Sequence, residues 1–279
     1  MGIAVVGAGS FIARALRQTP EAADWRFIGH REALGTDSWL QGVDTLLNCA
    51  FDDRLKDRAY DATLDVDIRL AEKVKHDRGM RYVMLSSRLA YGPAPDGGRL
   101  TESLPCNPIV PYARAKIITE TRLAEMLGER LTVLRLSNVF GAESAPGRKN
   151  FISVATRTLT QQGRIVLDLN PFVERDFVPV TEVARSLVRV LNAPEPGVFN
   201  FGAGAGTAVG LMAVWLISGH GRGELVINNM RDHDPFWLDI TKAHRAFGID
   251  AVPAERIRAF CIKLGRSVMR SAEGLQSCD

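Results

Sequence analysis

Five short apolar runs punctuate the first half of the chain: Ile3 to Val6, Trp25 to Ile28, Val43 to Cys49, Met80 to Leu85 and Leu131 to Leu136. Each is bounded and rich in Val, Ile and Leu, the pattern of strands covered on both faces. Helical periodicity separates them. Between Asp57 and Gly79, the residues Ala59, Ala62, Val66, Leu70 and Val74 recur at three- and four-residue spacing among Asp, Arg and Lys. That spacing predicts an amphipathic crossover helix ending at Gly79. Strands buried on both faces need helices on both sides of a parallel sheet, so the chain is expected to form a doubly wound α/β fold.

One interval is too short for this plan. Twelve residues separate His30 from Val43, about the minimum for a single crossover, so a helix-strand-helix unit is missing or vestigial and the sheet lacks an edge strand. After Phe140 the pattern changes. Gly141 to Gly147 reads as a loop, Phe151 to Gln162 as a helix, and Pro171, Pro179, Pro194, Pro196 and the glycines from Gly202 to Gly210 break the rest into short pieces.

Composition narrows the class. With 279 residues, 46% hydrophobic and 24% charged, the chain can bury a sizeable core without staples. Cys49, Cys106, Cys261 and Cys278 lie far apart with no C-x-x-C pair, so neither a metal site nor a disulfide framework is expected. A net charge of +3 is too small to argue for nucleic acid, and the arginines from Arg256 to Arg270 read as an exposed helix face. No signal-peptide pattern opens the sequence and no apolar run spans a bilayer, so a cytoplasmic protein without membrane contact is expected.

Three features carry chemistry. Directly after the first strand comes Gly7-Ala8-Gly9-Ser10-Phe11-Ile12, opening a helix; glycine there lets the backbone approach a pyrophosphate. This makes the expected fold a Rossmann-type dinucleotide-binding one. The second strand ends Ile28-Gly29-His30-Arg31-Glu32; His30 and Arg31 favour the extra phosphate of NADP(H), whereas Glu32 could serve the ribose of NAD(H). Next, Tyr112 and Lys116 stand four apart on a helix introduced by Pro108 and Pro111, so the ammonium can stabilise a phenolate. Last, a strand ends at Ser86-Ser87, on the carboxyl edge where open α/β sheets bind ligands.

Glycine loop, strand-end serine and Tyr-x-x-x-Lys, in that order, resemble the extended short-chain dehydrogenase/reductases that act on nucleotide sugars. The likeness extends through Leu46-Leu47-Asn48-Cys49-Ala50, Ser87-Arg88-Leu89-Ala90-Tyr91-Gly92, Arg135-Leu136-Ser137-Asn138-Val139-Phe140-Gly141, Arg175-Asp176-Phe177 and Gly197-Val198-Phe199-Asn200. The resemblance implies Ser87, Tyr112 and Lys116 as catalytic residues. It implies contacts to the cofactor from Gly7, Gly9, Ser10, Phe11, Ile12, His30, Arg31, Cys49 and Ala50, together with Tyr112 and Lys116. Ser87, Asn138, Asn150, Arg175 and Arg231 fall where the family meets its nucleotide sugar. It further implies a dinucleotide part, 1–139 and 180–203, interleaved with a smaller substrate part, 140–179 and 204–279, and a homodimer formed through the helices after Asp57 and Pro111.

Two departures refine this. Ser10 and Ala13 replace the second and third glycines of the family loop. Arg88 and Leu89 stand where family dehydratases carry Asp-Glu, which argues against a dehydratase. The implied activity is NADP(H)-dependent reduction of a nucleotide-linked 4-keto sugar. A 4-epimerase holding NAD(H) tightly, and a non-catalytic dinucleotide sensor, are the alternatives.

Overall fold

The computed structural model describes residues 2–142 and 150–276, with side chains as far as Arg270; most of the predicted loop Gly141 to Gly147 lies outside the described residues. In chain order, β1 (Ile3–Val6) leads into α1 (Phe11–Leu16), β2 (Arg26–Ile28) into α2 (His30–Gly35), and β3 (Thr45–Asn48) into α3 (Val66–Val74). Then β4 (Arg81–Ser87) leads, past the short β5 (Arg99–Leu100), into α4 (Pro111–Leu127), followed by β6 (Leu131–Leu136), β7 (Asn138–Phe140) and α5 (Phe151–Gln162). The remainder is β8 (Arg164–Leu167), β9 (Glu174–Arg175), β10 (Phe177–Pro179), α6 (Val180–Asn192), β11 (Gly197–Phe201) and β12 (Thr207–Ala208). Last come α7 (Val209–His220), β13 (Glu224–Ile227), β14 (Trp237–Leu238), α8 (Thr241–Phe247) and α9 (Ala254–Gln276).

Six of these strands form one sheet in the order β11-β6-β4-β3-β1-β2, every pair parallel. This is the doubly wound sheet expected from the apolar runs. Its strands are covered on both faces, because β1, β3, β4 and β6 contribute buried side chains alternately to two separate cores. One core, with Ala4, Leu46, Tyr82 and Val133, lies under α3 and α4; the other, with Val5, Leu47, Val83 and Leu134, continues into the second half of the chain.

The clipped interval has the predicted consequence. β2 is the edge strand, and the stretch from Arg31 to Gly42 holds no strand, only α2 after its first residue and a single 3-10 turn. Trp39 plugs the space, buried and donating from Nε1 to the carbonyls of Ala33 (3.1 Å) and Thr36 (3.0 Å).

The crossover helix is shorter than predicted. α3 starts only at Val66, because Asp65 caps it, accepting from the N–H groups of Asp67 (3.0 Å) and Ile68 (3.3 Å). Upstream, Asp61 turns the chain by accepting from Thr63, so Ala62 belongs to a turn and Ala59 to the irregular chain before it. Asx capping outcompeted the apolar periodicity that extended the prediction. At its other end the helix stops at Val74, before Gly79.

In the second half α7 and α9 pack backbone to backbone. A Cβ on Gly219 would stand 2.1 Å from the Ile262 carbonyl oxygen, and one on Gly265 2.2 Å from that of Leu216; only glycine permits such an approach. The arginines of α9 face outward, as its sequence implied, while Ile257, Cys261 and Leu264 are buried. Among the described residues no helix is long and apolar enough to cross a membrane, and no group of three or more His, Cys, Asp or Glu is placed to hold a metal ion.

Candidate active site

The order β2-β1-β3 makes the chain reverse direction beside β1, so the loops leaving β1 and β3 part and leave a crevice at the carboxyl edge. Gly7 stands at its base with φ +86°; a Cβ there would lie 2.8 Å from the backbone nitrogen of Ala50. The N–H groups of Gly7 and Ala8 both donate to the Ile28 carbonyl (2.9 and 3.1 Å), pinning the turn to β2. The two departures from the family loop each have a local function. Ser10 caps α1 by accepting from the Ala13 N–H (3.2 Å), and Ala13 is fully buried where α1 meets the sheet.

From this crevice three cavities run into one another along the edge. The first, about 440 Å³, is lined by Ser10, Phe11, Ile12, Cys49, Ala50, Ser87, Tyr112, Lys116, Asn138, Asn150 and Arg175, among others. A second, about 650 Å³, is bounded by Gly7, Gly9 and Arg14 and shares Phe11, Ala50 and Tyr112 with the first. The third, about 730 Å³, opens beyond His30 and includes Arg31. Every catalytic, cofactor and substrate residue that the resemblance implies lines one of the three except Arg231. That side chain is exposed and outside them, with its backbone bonded to Asn229 and Asn170.

Pro111 starts α4 after an extended Val110, which puts Tyr112 and Lys116 one turn apart over the first cavity. Lys116 is nearly buried. Its Nζ donates to the Leu85 carbonyl (2.8 Å), lies 3.8 Å from Asp67 Oδ2 and sits over the ring of Phe51, 4.8 Å from its centre. The same ring packs edge-on against Tyr112 at 5.0 Å. Phe51 therefore holds both residues, and nothing in its sequence context distinguished it from any apolar residue after a strand.

The two strand-end serines are not equivalent. Ser86 donates to Glu120, whose carboxylate is forked by Arg135 (2.6 and 3.2 Å). Ser87 accepts from the Leu89 N–H at 3.2 Å, so its own proton remains available to a ligand in the cavity. Two buried charges also escaped the sequence reading, Asp67 and Glu120. They sit on helices, and only the packing of α3 and α4 turns them inward toward Lys116 and Ser86. Burial pushes the Asp67 carboxyl up to about 6, with the neighbouring Lys116 charge opposing that rise. Burial pushes the Cys49 thiol up to about 12, so it lines the cavity as a neutral group.

Toward the second half of the chain, Asn138 begins β7 and lines the first cavity. Asn150 caps α5, its Oδ1 accepting from the Ser153 N–H at 2.8 Å, and borders the first two cavities. Arg175 lines the first cavity while its guanidinium donates to the carbonyls of His233 (2.6 Å) and Asp234 (3.2 Å). At the opposite end, His30 and Arg31 are joined by Arg54 and Arg69 around the third cavity. Its two acids already have cations: Asp52 is forked by Arg54 and held down at about 2 by that hydrogen bonding, and Asp53 pairs with Lys56 (2.6 Å). Glu32 is exposed in the first turn of α2 and does not line the cavity.

A parallel sheet with a glycine crevice at its reversal point, a Tyr and Lys one turn apart, and a strand-end serine facing them define a dinucleotide-binding α/β fold with an oxidoreductase type of site. The model of the NAD dependent epimerase/dehydratase family matches residues 3–202, and the chain belongs to that family. A curated relative, the dTDP-6-deoxy-L-talose 4-dehydrogenase (NAD(P)(+)) of Kitasatospora kifunensis, is 27% identical over 242 residues, covering 79% of this chain and 75% of its own. Among solved structures, the UDP-glucuronic acid 4-epimerase of Bacillus cereus in complex with NAD superposes with a TM-score of 0.78 at 17% identity, over 98% of this chain and 99% of that one. RMD from Pseudomonas aeruginosa, complexed with NADPH, gives 0.73 at 20% identity, over 99% and 100%.

Proposed function

We infer that the protein is an NADP(H)-dependent reductase of a nucleotide-linked 4-keto sugar. The observation that carries this reading is the single cavity on which Ser87, Tyr112 and Lys116 converge beside the glycine crevice. The residues fit a dinucleotide: Gly7 leaves a cradle that any side chain would fill against Ala50, and Arg14 and His30 border the adjoining recess. In this reading 1–139 and 180–203 hold the cofactor, and 140–179 with 204–279 hold the sugar nucleotide. NADPH, when bound, supplies the hydride that reduces the carbonyl carbon.

The chain's own residues handle the oxygen and the proton. Ser87 donates a hydrogen bond to the carbonyl oxygen, stabilising the negative charge that develops there. Tyr112 gives the oxygen its proton, and the Lys116 ammonium one turn along offsets the charge left on the phenol oxygen. Asp67 and Phe51 keep that ammonium in place from below. NADP(H) is favoured over NAD(H) because the two acids lining the recess beyond His30 are already paired, whereas Arg31 and Arg69 have no carboxylate partner among the described residues and line the same recess. The 4-dehydrogenase relative, whose name includes both cofactors, supports chemistry at a sugar 4-position.

The test is turnover. Purified protein should consume NADPH when given a nucleotide-linked 4-keto sugar, and Tyr112→Phe should lose at least about a hundredfold in kcat while still binding NADPH. Wild-type turnover in that variant refutes the mechanism. Tightly held NAD in the purified protein, with interconversion of sugars and no net NADPH use, makes it an epimerase instead.

A further inference from the structure

Lys116 stands in the wall of the first cavity, and what lies behind it decides how much of its charge the cavity feels. Behind it is Asp67, whose Oδ2 lies 3.8 Å from the Lys116 Nζ; both side chains are almost completely buried. The carboxylate comes from α3 and the ammonium from α4, which pack against each other. Tyr82 on β4 donates to the other carboxylate oxygen at 2.9 Å, and Asn48 on β3 adds a further hydrogen bond. Among the titratable groups facing Asp67, Tyr82 and Cys49 are kept neutral by burial, and Asp65, at the start of α3, contributes a like charge. Lys116 is the one cation it faces among the described residues, and Asp67 itself lines none of the three cavities.

A bare ammonium one turn from Tyr112 would pull the phenol toward phenolate. A carboxylate close behind the ammonium turns that single charge into a dipole, and the field reaching the cavity falls accordingly. Burial pushes the Asp67 carboxyl up only to about 6, so at neutral pH the pair stands as ammonium against carboxylate. Two effects follow, and both favour one direction. A tyrosine that keeps its proton suits giving it to a carbonyl oxygen, whereas taking one from an alcohol needs the phenolate. Loss of a hydride also leaves positive charge on a nicotinamide ring, which a bare ammonium opposes and a neutral pair does not.

We propose that Asp67 adapts the site to the reducing direction: by neutralising Lys116 from behind, it keeps Tyr112 a proton donor and lets the site hold the oxidised, positively charged cofactor. In the ketoreductase reading on which this rests, reduction forms a C–H bond from the hydride and an O–H bond from the Tyr112 proton. The cofactor is oxidised in that step, and solvent then returns a proton to the phenol oxygen. Asp67 touches none of these atoms; it is a positioning residue that acts through the charge of Lys116.

Two measurements on the full chain, Asp67→Asn and Tyr112→Phe test this. The chain has four tyrosines, and burial pushes Tyr60, Tyr82 and Tyr91 up, Tyr91 to about 12. Tyrosinate absorbance that develops below about pH 11 therefore reports Tyr112 and should vanish in Tyr112→Phe. In Asp67→Asn, which keeps the shape of the side chain, the midpoint of that absorbance change should fall by about one pH unit. Fluorescence titration with NADP+ and with NADPH should show the variant losing about five- to tenfold in affinity for NADP+ relative to NADPH at about pH 8. At about pH 5, where the wild-type carboxyl is itself largely protonated, variant and wild type should match. A midpoint that stays or rises in Asp67→Asn overturns the charge balance. A lower midpoint with an unchanged ratio of the two affinities overturns the directional role. If the wild-type protein binds neither dinucleotide while the midpoint falls as expected, the ketoreductase reading fails and the charge balance on Tyr112 stands without it.

Discussion

Asp67→Asn should make this protein more stable at neutral pH. The carboxyl lies buried on α3, accepts from Tyr82 Oη at 2.9 Å and sits 3.8 Å from Lys116 Nζ. Burial raises it from the ordinary carboxyl value of 3.8 to about 6 in the folded chain, even with the Lys116 charge beside it. Unfolded, the same group ionises near its ordinary value. Below both values the proton is bound in either state and the group has no effect on stability. As pH rises from about 4 to about 6, the unfolded chain releases its proton first, and stability falls by about 1.4 kcal/mol per pH unit. Above about 6 the full cost, roughly 3 kcal/mol, is in place and stays constant.

Asn mimics the protonated carboxyl in shape and charge and does not titrate. The variant should therefore match the wild type near pH 4 and exceed it by about 2–3 kcal/mol at pH 7, which for a chain of this size raises Tm by roughly 5–10 °C. Urea or thermal unfolding of both proteins at pH 4, 5, 6 and 7 measures it. A difference that does not change with pH, or a variant less stable than wild type at pH 7, refutes the reasoning. A buried carboxylate that weakens the fold and lies beside the lysine of the proposed active site is the kind of group retained for activity, so the stabilised variant should also be a slower enzyme.

Glu120→Gln should act in the opposite direction, because it leaves the buried Arg135 without its carboxylate; a loss of about 3–5 kcal/mol, read by urea unfolding at pH 7, is expected. Gly7→Ala forces a side chain into a left-handed position against the Ala50 nitrogen, and should weaken NADPH binding at least about tenfold by fluorescence titration. Arg31→Glu and Arg69→Glu should each lower the preference for NADPH over NADH by about tenfold in binding, with NADH affinity little altered; equal losses for both cofactors would remove the phosphate from that recess.

The fold was largely legible because its cause is local. Apolar runs without alternation have one stable arrangement when helices separate them, and a stretch of twelve residues is too short to return a strand to the sheet, so even the missing edge strand was readable. Tyr112 and Lys116 were readable for a similar reason, since four residues along a helix fix where side chains point, whereas Ser87 was separated from Ser86 only by the family resemblance. α3 was misjudged because apolar spacing continues through Ala59 and Ala62, while the start of a helix is decided by one capping side chain, Asp65.

Other elements became visible only in the folded chain. Phe51, Asp67 and Glu120 look like ordinary loop and helix residues in sequence, and they matter because α3 and α4 pack side by side on one face of the sheet. Arg88 and Asp234 stand far apart along the chain, and no periodicity links them. Sequence by itself determined the parallel sheet and the glycine crevice, since each follows from spacing within a few residues, and it brought Ser87, Tyr112 and Lys116 forward together through a family resemblance. Tertiary structure decided which charges are buried against one another, Arg88 on Asp234 among them, because burial and long-range pairing depend on how the two halves of the chain close on each other.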